Sequence, residues 1–277
     1  MMSFPSDDQS IVKNGWFHTR WKRLLLAVTF LTRLPLPVRG EVTPDDLRAS
    51  MAWYPLIGLA LGGMGWGIFA GSRRLFPGEL LSAVLTIVLL EMCTGALHLD
   101  GFMDTCDGLG SGAPRERALE IMKDSRVGAM GVFGAIALLL LKIAAMAALA
   151  PAQARLPLLL GMMGARAIPP LDVSWFRYAR AQGTAGAFTH GKAPAMLPLA
   201  LASVLVAAWL IGQWTALVLI VVALGLTLLV QLRIAKLLGG LTGDVYGMGI
   251  ELTETFMLLL GCILAKWTFI SFVMGSR

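Results

Sequence analysis

Residues 194–232 read PAMLPLALASVLVAAWLIGQWTALVLIVVALGLTLLVQL, without one Asp, Glu, Lys or Arg. A helix needs about 20 apolar residues to cross a hydrocarbon core, so this stretch is long enough for two crossings, near 194–212 and 215–232. Working outward, further apolar runs of similar length lie near 52–71, 79–98, 131–150, 156–172 and 255–274. The predicted fold class is all-α, a polytopic membrane helical bundle of about seven transmembrane helices (roughly six to eight) joined by acidic loops. The segment 22–38, KRLLLAVTFLTRLPLPV, is interrupted by Arg33, Pro35 and Pro37. It reads as an interfacial or re-entrant helix.

Composition agrees. Of 277 residues, 57% are hydrophobic and 14% charged, and the mean hydropathy is +0.73. Soluble domains carry about 25% charged residues. The formal net charge of +6 does not point to nucleic acid, because the basic residues sit in short segments between apolar runs, as membrane proteins place them. The partner implied is the lipid bilayer. No soluble domain or long linker is visible, so a single integral membrane domain is expected over 1–277. It divides into an N-terminal cytoplasmic or interfacial segment, 1–50, and a transmembrane bundle, 51–277. With the N-terminus in the cytoplasm, only Arg73, Arg74, Arg155 and Arg277 among the inter-span Lys and Arg fall outside, and this bias sets the orientation. Cys93, Cys106 and Cys262 have no metal-ligand spacing and are expected to be unpaired. No signal-peptide cleavage pattern follows the first apolar stretch.

Chemistry concentrates in two acidic segments, both on the cytoplasmic side in this orientation. The first, His98–Gly131, reads HLDGFMDTCDGLGSGAPRERALEIMKDSRVGAMG. Asp100, Asp104 and Asp107 fall at i, i+4 and i+7, which places them on one face if the segment is helical. Three carboxylates so close need a cation, and hard oxygen ligands suit Mg²⁺, which binds one or two carboxylates plus phosphate oxygens. Asp100, Asp104 and Asp107 are therefore candidate metal ligands and catalytic groups. His98, directly before them, is a candidate base or supporting residue. Lys123, Asp124, Ser125 and Arg126 follow as a phosphate-contacting stretch, since the remaining phosphate oxygens need cationic partners. The second segment, 239–254, reads GGLTGDVYGMGIELTE. Asp244, between glycines, is a candidate metal ligand and substrate contact, and Glu251, seven residues on, a candidate general base. Arg166, inside an apolar run, must meet an acid or a phosphate. His190 lies in a small-residue loop that is expected to close over substrate.

Taken together, HLDGFMDTCDG, EIMKDSRVGAMG and LTGDVYGMGIELTE resemble the cobalamin synthase family, the adenosylcobinamide-GDP ribazoletransferases. FLTRLPLP, WYPLIGLALGG and YARAQGTAGAF are similar to that family as well, in order and spacing, whereas GARAIPPLDVSW is the least typical stretch. The resemblance implies a Mg²⁺-dependent enzyme of the bacterial inner membrane. It would join adenosylcobinamide-GDP to α-ribazole, or its 5′-phosphate, and release GMP. A homo-oligomer, with close packing through the small residues 58–63, and contact with other enzymes assembling the nucleotide loop are the partner expectations. One alternative is a CDP-alcohol phosphotransferase of phospholipid synthesis. Those enzymes carry D-G-x-x-A-R, whereas here Asp104-Thr105 follows Asp100-Gly101-Phe102-Met103. The other is a cation-coupled transporter, which would place its acids near the bilayer midplane rather than at one face.

Overall fold

The computed structural model describes residues 8–180, 186–189 and 193–275; the side chains of 8–17 and 268–275, and the loop reading that includes His190, lie outside the described residues. The elements are α1 Asp8–Leu31, α2 Pro44–Ser50, α3 Tyr54–Leu75, α4 Glu79–Thr94, α5 Leu97–Gly110 and α6 Arg115–Ile121. They continue with α7 Ala129–Ala147, α8 Pro151–Ala165, α9 Ile168–Trp175, α10 Gly186–Thr189, α11 Met196–Leu238 and α12 Gly243–Gly275. The protein is a polytopic helical membrane protein. The stretches Pro44–Leu75, Ala129–Ala147, Met196–Leu238 and Gly243–Trp267 are long and apolar enough to cross a bilayer, and α4 with α5 forms a pair bent by 91°. Leu140, Leu210, Trp214 and Val218 are among many exposed apolar side chains, which suits faces solvated by lipid.

The stretch that reads as two crossings forms one long element, α11, broken where Gly212 (φ −152°) and Gln213 (φ 50°) leave helical geometry. The halves share one core cluster, with Val204 and Ala208 from the first and Ala216 and Ile220 from the second. Trp209 and Trp214 meet across the break at 5.2 Å. The expected span 156–172 is also divided, into α8 and α9, at Arg166 and Ala167. The segment 22–38 is helical only to Leu31, and α1 is not among the helices apolar enough to span.

α8 is the hub, packed on α3, α12 and α11. It has little bulk where it meets α3: a Cβ at Gly62 would lie 2.5 Å from the Leu158 carbonyl oxygen, and one at Gly58 would overlap that of Met162. The close helix packing that the small residues 58–63 permit is made here against α8 within the chain. All three cysteines are free.

Candidate functional site

Left-handed Gly95 (φ 66°) and Ala96 (φ 54°) end α4 and turn the chain into α5. The first acidic segment is therefore a helix for its first half, not a loop. α5 lies across the N-terminal ends of α12 and α7 and approaches α12 through glycine on both sides. A Cβ at Gly101 would lie 2.8 Å from the Asp244 carbonyl oxygen, and one at Gly247 3.1 Å from that of His98. Only paired glycines let the two backbones come so close, and that approach brings Asp244 against Asp100 and Asp104.

Asp100 and Asp244 line one cavity with Arg180, and Asp104 stands within electrostatic reach of all three. Burial, together with the neighbouring charges of Asp244 and Asp100, pushes the Asp104 carboxyl up to about 7. Arg180 donates from Nη2 to Asp244 Oδ2 at 2.6 Å and to the Met122 carbonyl at 3.2 Å. A short parallel pairing sets its place: Ala179 N–H donates to Leu241 O (2.8 Å) and Leu241 N–H to Arg177 O (2.9 Å). Arg115 adds bonds from Nε to Leu238 O and from Nη2 to Ala179 O. Arg180 was not among the residues singled out from sequence, because the segment 176–180 is irregular and only this pairing places it beside α12.

Asp107 shares the face of Asp100 and Asp104 but not their freedom. Its Oδ2 accepts the Gly128 N–H and its Oδ1 the Gly131 N–H, both at 2.7 Å. These are orphan donors at the start of α7, so Asp107 caps that helix from α5 and opposes its dipole. Both carboxylate oxygens are engaged, and the three aspartates are not brought together as one set of free ligands.

The cavity measures ≈240 Å³. Phe30, Leu31, Met51 and Phe188 form its apolar side, while Tyr54, His98, Tyr178 and Tyr246 contribute polar groups. Phe30 stacks on Tyr54 with centroids 5.8 Å apart and meets Phe188 at 5.1 Å. Arg48 holds Phe188 in place by donating to the carbonyls of Phe188 (3.2 Å) and Thr189 (2.9 Å).

Glu251 and Asp244 diverge. α12 begins at Gly243, so seven residues place Glu251 about 10 Å further along the helix. There Lys142 Nζ donates to Glu251 (2.5 Å), Glu254 (2.8 Å) and Glu91 (3.4 Å), and Arg166 pairs with Glu254. Glu91, Glu251 and Glu254 are the one group of three carboxylates among the described residues with oxygens within 4.8 Å of one another. The Lys142 ammonium already occupies their centre. Glu251 and Glu254, expected in a loop, thus belong to a buried ion network, and Arg166 meets an acid rather than a phosphate. Acids do lie within the bundle, contrary to their expected confinement to one face: Glu91, Glu251 and Glu254 share the two cations Lys142 and Arg166, and buried Asp172 accepts from Gln231 Nε2 at 2.7 Å. Glu91 and Lys142 carried a readable signal, since charges inside apolar runs must find partners.

Lys123, Ser125 and Arg126 are exposed on the turn before α7. Arg126 binds the Asp124 carboxylate at 2.7 Å, and that guanidinium holds the Asp124 carboxyl at about 2. The turn lies beyond Asp107, away from the cavity's lining. Asp100, Asp104 and Asp244 are hard oxygen donors of the kind that suits a divalent cation sharing its coordination with phosphate, although their oxygens do not all lie within 4.8 Å of one another and Asp244 is paired with Arg180.

The family model described as cobalamin-5-phosphate synthase matches residues 23–262. The adenosylcobinamide-GDP ribazoletransferase of Desulfitobacterium hafniense is 40% identical over 244 residues, covering 86% of this chain and 95% of that protein. The one from Brevibacillus brevis is 38% identical, covering 88% and 98%, and that of Azorhizobium caulinodans 36%, covering 87% and 95%. No solved structure matches the chain.

Proposed function

Because the chain belongs to the cobalamin-5-phosphate synthase family, we propose that it performs the transfer named in its relatives, the assembly of the cobalamin nucleotide loop. The donor is adenosylcobinamide-GDP and the acceptor α-ribazole or its 5′-phosphate. A ribose hydroxyl attacks the phosphorus nearer cobinamide, the bond to the bridging oxygen breaks, and GMP leaves. The single observation that carries this reading is the convergence of Asp100, Asp244 and Arg180 on one cavity, with Asp104 beside them.

Asp100, Asp104 and Asp244 are the residues that would hold Mg²⁺. When bound, the ion neutralises diphosphate charge and stabilises the departing phosphate. Arg180, oriented by Asp244, reaches toward the oxygens that the cation leaves uncovered, where a guanidinium offers bidentate geometry. A carboxylate of this cluster that the ion leaves uncoordinated accepts the hydroxyl proton. Asp107 keeps the start of α7 joined to α5, and Glu251 balances Lys142; neither takes part in the chemistry. The family resemblance supports a place in the bacterial inner membrane, and the distribution of basic residues favours an orientation with α5 toward the cytoplasm.

The test is GMP release by purified variants. Asp100→Asn and Asp104→Asn are expected to lose at least about 100-fold, as removal of groups acting on the transition state does. Glu116→Ala, on the exposed face of α6, should be silent. Equal losses in all three would make the segment a folding element only.

A further inference from the structure

The aromatic side of the cavity has no role in holding a diphosphate, and its chemistry is specific. We infer that it binds the neutral heteroaromatic base of the acceptor nucleoside, with Phe30 and Phe188 against the ring and Tyr54, Tyr246 and His98 facing its edge. The inference rests on the transferase reading for the identity of the acceptor.

Size limits the occupant first. A cavity of ≈240 Å³ falls below the roughly 300–1,000 Å³ that encloses drug-sized ligands. A bicyclic base with part of its pentose fits; a corrin macrocycle is several times too large. Charge limits it next. Among the described residues Arg180 is the one Lys or Arg in the lining, and it stands beside Asp244 at the acidic end. The diphosphate therefore belongs at that end with Arg180, and the aromatic side is left for a neutral group.

Polar chemistry then separates the two bases available. The Tyr246 hydroxyl and His98 Nε2 are buried and have no hydrogen-bond partner among the described residues, although a buried polar group usually has one, while the Tyr54 hydroxyl stands beside Ser50. A hydroxyl can donate to a lone ring nitrogen, the one polar edge atom that a benzimidazole nucleoside leaves open. Guanine also offers O6 and N7 as acceptors, but its N1–H and amino donors call in addition for a carboxylate. The carboxylates in the lining are Asp100 and Asp244, both at the phosphate end. Ring contact completes the fit: aromatic faces stack on a base whatever its sequence of edge atoms, and Arg48 fixes Phe188 in the wall through two carbonyl bonds.

The experiment pairs binding with kinetics on the full chain in detergent. Equilibrium dialysis measures α-ribazole binding without donor, competed by free 5,6-dimethylbenzimidazole or by guanosine. Initial rates then give KM for each substrate in wild type, Phe188→Leu and Tyr246→Phe. Dimethylbenzimidazole should compete and guanosine should not. Phe188→Leu should weaken α-ribazole and raise its KM by at least about fivefold, the low end for a lost stack, with donor KM within about twofold of wild type. Tyr246→Phe removes one hydroxyl without altering shape, and should weaken α-ribazole even if Phe188→Leu does not fold. Competition by guanosine alone, or a rise confined to donor KM, overturns the assignment and gives the cavity to the donor nucleotide. Unchanged α-ribazole binding in Tyr246→Phe overturns it too. Binding without turnover in wild type would uphold the pocket and contradict only the transferase reading.

Discussion

Asp107→Asn separates a structural carboxylate from two chemical ones on the same helix face. In the wild type, one carboxylate accepts two N–H bonds of 2.7 Å, from Gly128 and Gly131. Asparagine keeps one oxygen for one of them and turns an amine toward the other. Hydrogen bonds to a charged group contribute about 1.5–3 kcal/mol each, and a negative charge at a helix N-terminus a further ~0.3–1 kcal/mol. Losing one bond and the charge should therefore cost about 2–4 kcal/mol. The chemistry should suffer far less, because both oxygens of Asp107 serve α7. The assay is thermal unfolding of the detergent-solubilised protein beside GMP release per folded molecule. A lowered unfolding temperature with turnover within about tenfold of wild type is expected; a tenfold change is only about 1.4 kcal/mol in the barrier. An unchanged unfolding temperature with turnover abolished would refute the reasoning and return Asp107 to the metal.

Two further outcomes follow from the geometry. Lys142→Met should destabilise by about 3–5 kcal/mol, the range for removing one partner of a buried ion pair, because Glu91, Glu251 and Glu254 would face one another without it; the double variant Lys142→Met with Glu251→Gln should recover part of the loss in the same unfolding assay. Asp104 makes a pH prediction with a definite sign. Burial and neighbouring carboxylates raise it from 3.8 to about 7, so between those values the folded protein holds more protons than the unfolded chain. Stability of the metal-free protein should fall as pH rises through that window, Mg²⁺ should bind more weakly below about pH 7, and both dependences should flatten in Asp104→Asn, as read by unfolding at pH 5 and pH 8.

The class was legible because lipid imposes a strong constraint: a chain with so few charges must satisfy its backbone in helices, whereas the break at Arg166–Ala167 inside the expected span 156–172 was not. The glycine-rich acidic segments were also legible, since Asp100, Asp104 and Asp244 occur where close backbone approach and clustered charge coincide. The use of each carboxylate was not. Asp100, Asp104 and Asp107 have the same helical face, and only the docking of α7 beside α5 shows that one is a cap. Glu251 falls in a segment between two apolar runs and so reads as loop, yet α12 begins at Gly243 and Gly247 and Gly249 serve helix packing. Arg180 lies in irregular chain, where no periodicity predicts what a side chain meets, and its partner is 64 residues away.

The central claim is that the acidic face of α5 and the start of α12 hold a divalent cation that drives phosphoryl transfer. It is tested most directly by following GMP release and corrinoid product together, using purified protein, adenosylcobinamide-GDP and α-ribazole, first with EDTA and then with Mg²⁺ restored. The account predicts no product with EDTA, product and GMP in equal amounts once Mg²⁺ returns, and no such recovery in Asp100→Asn. Full turnover in EDTA, or full Mg²⁺-dependent turnover in Asp100→Asn, would contradict it.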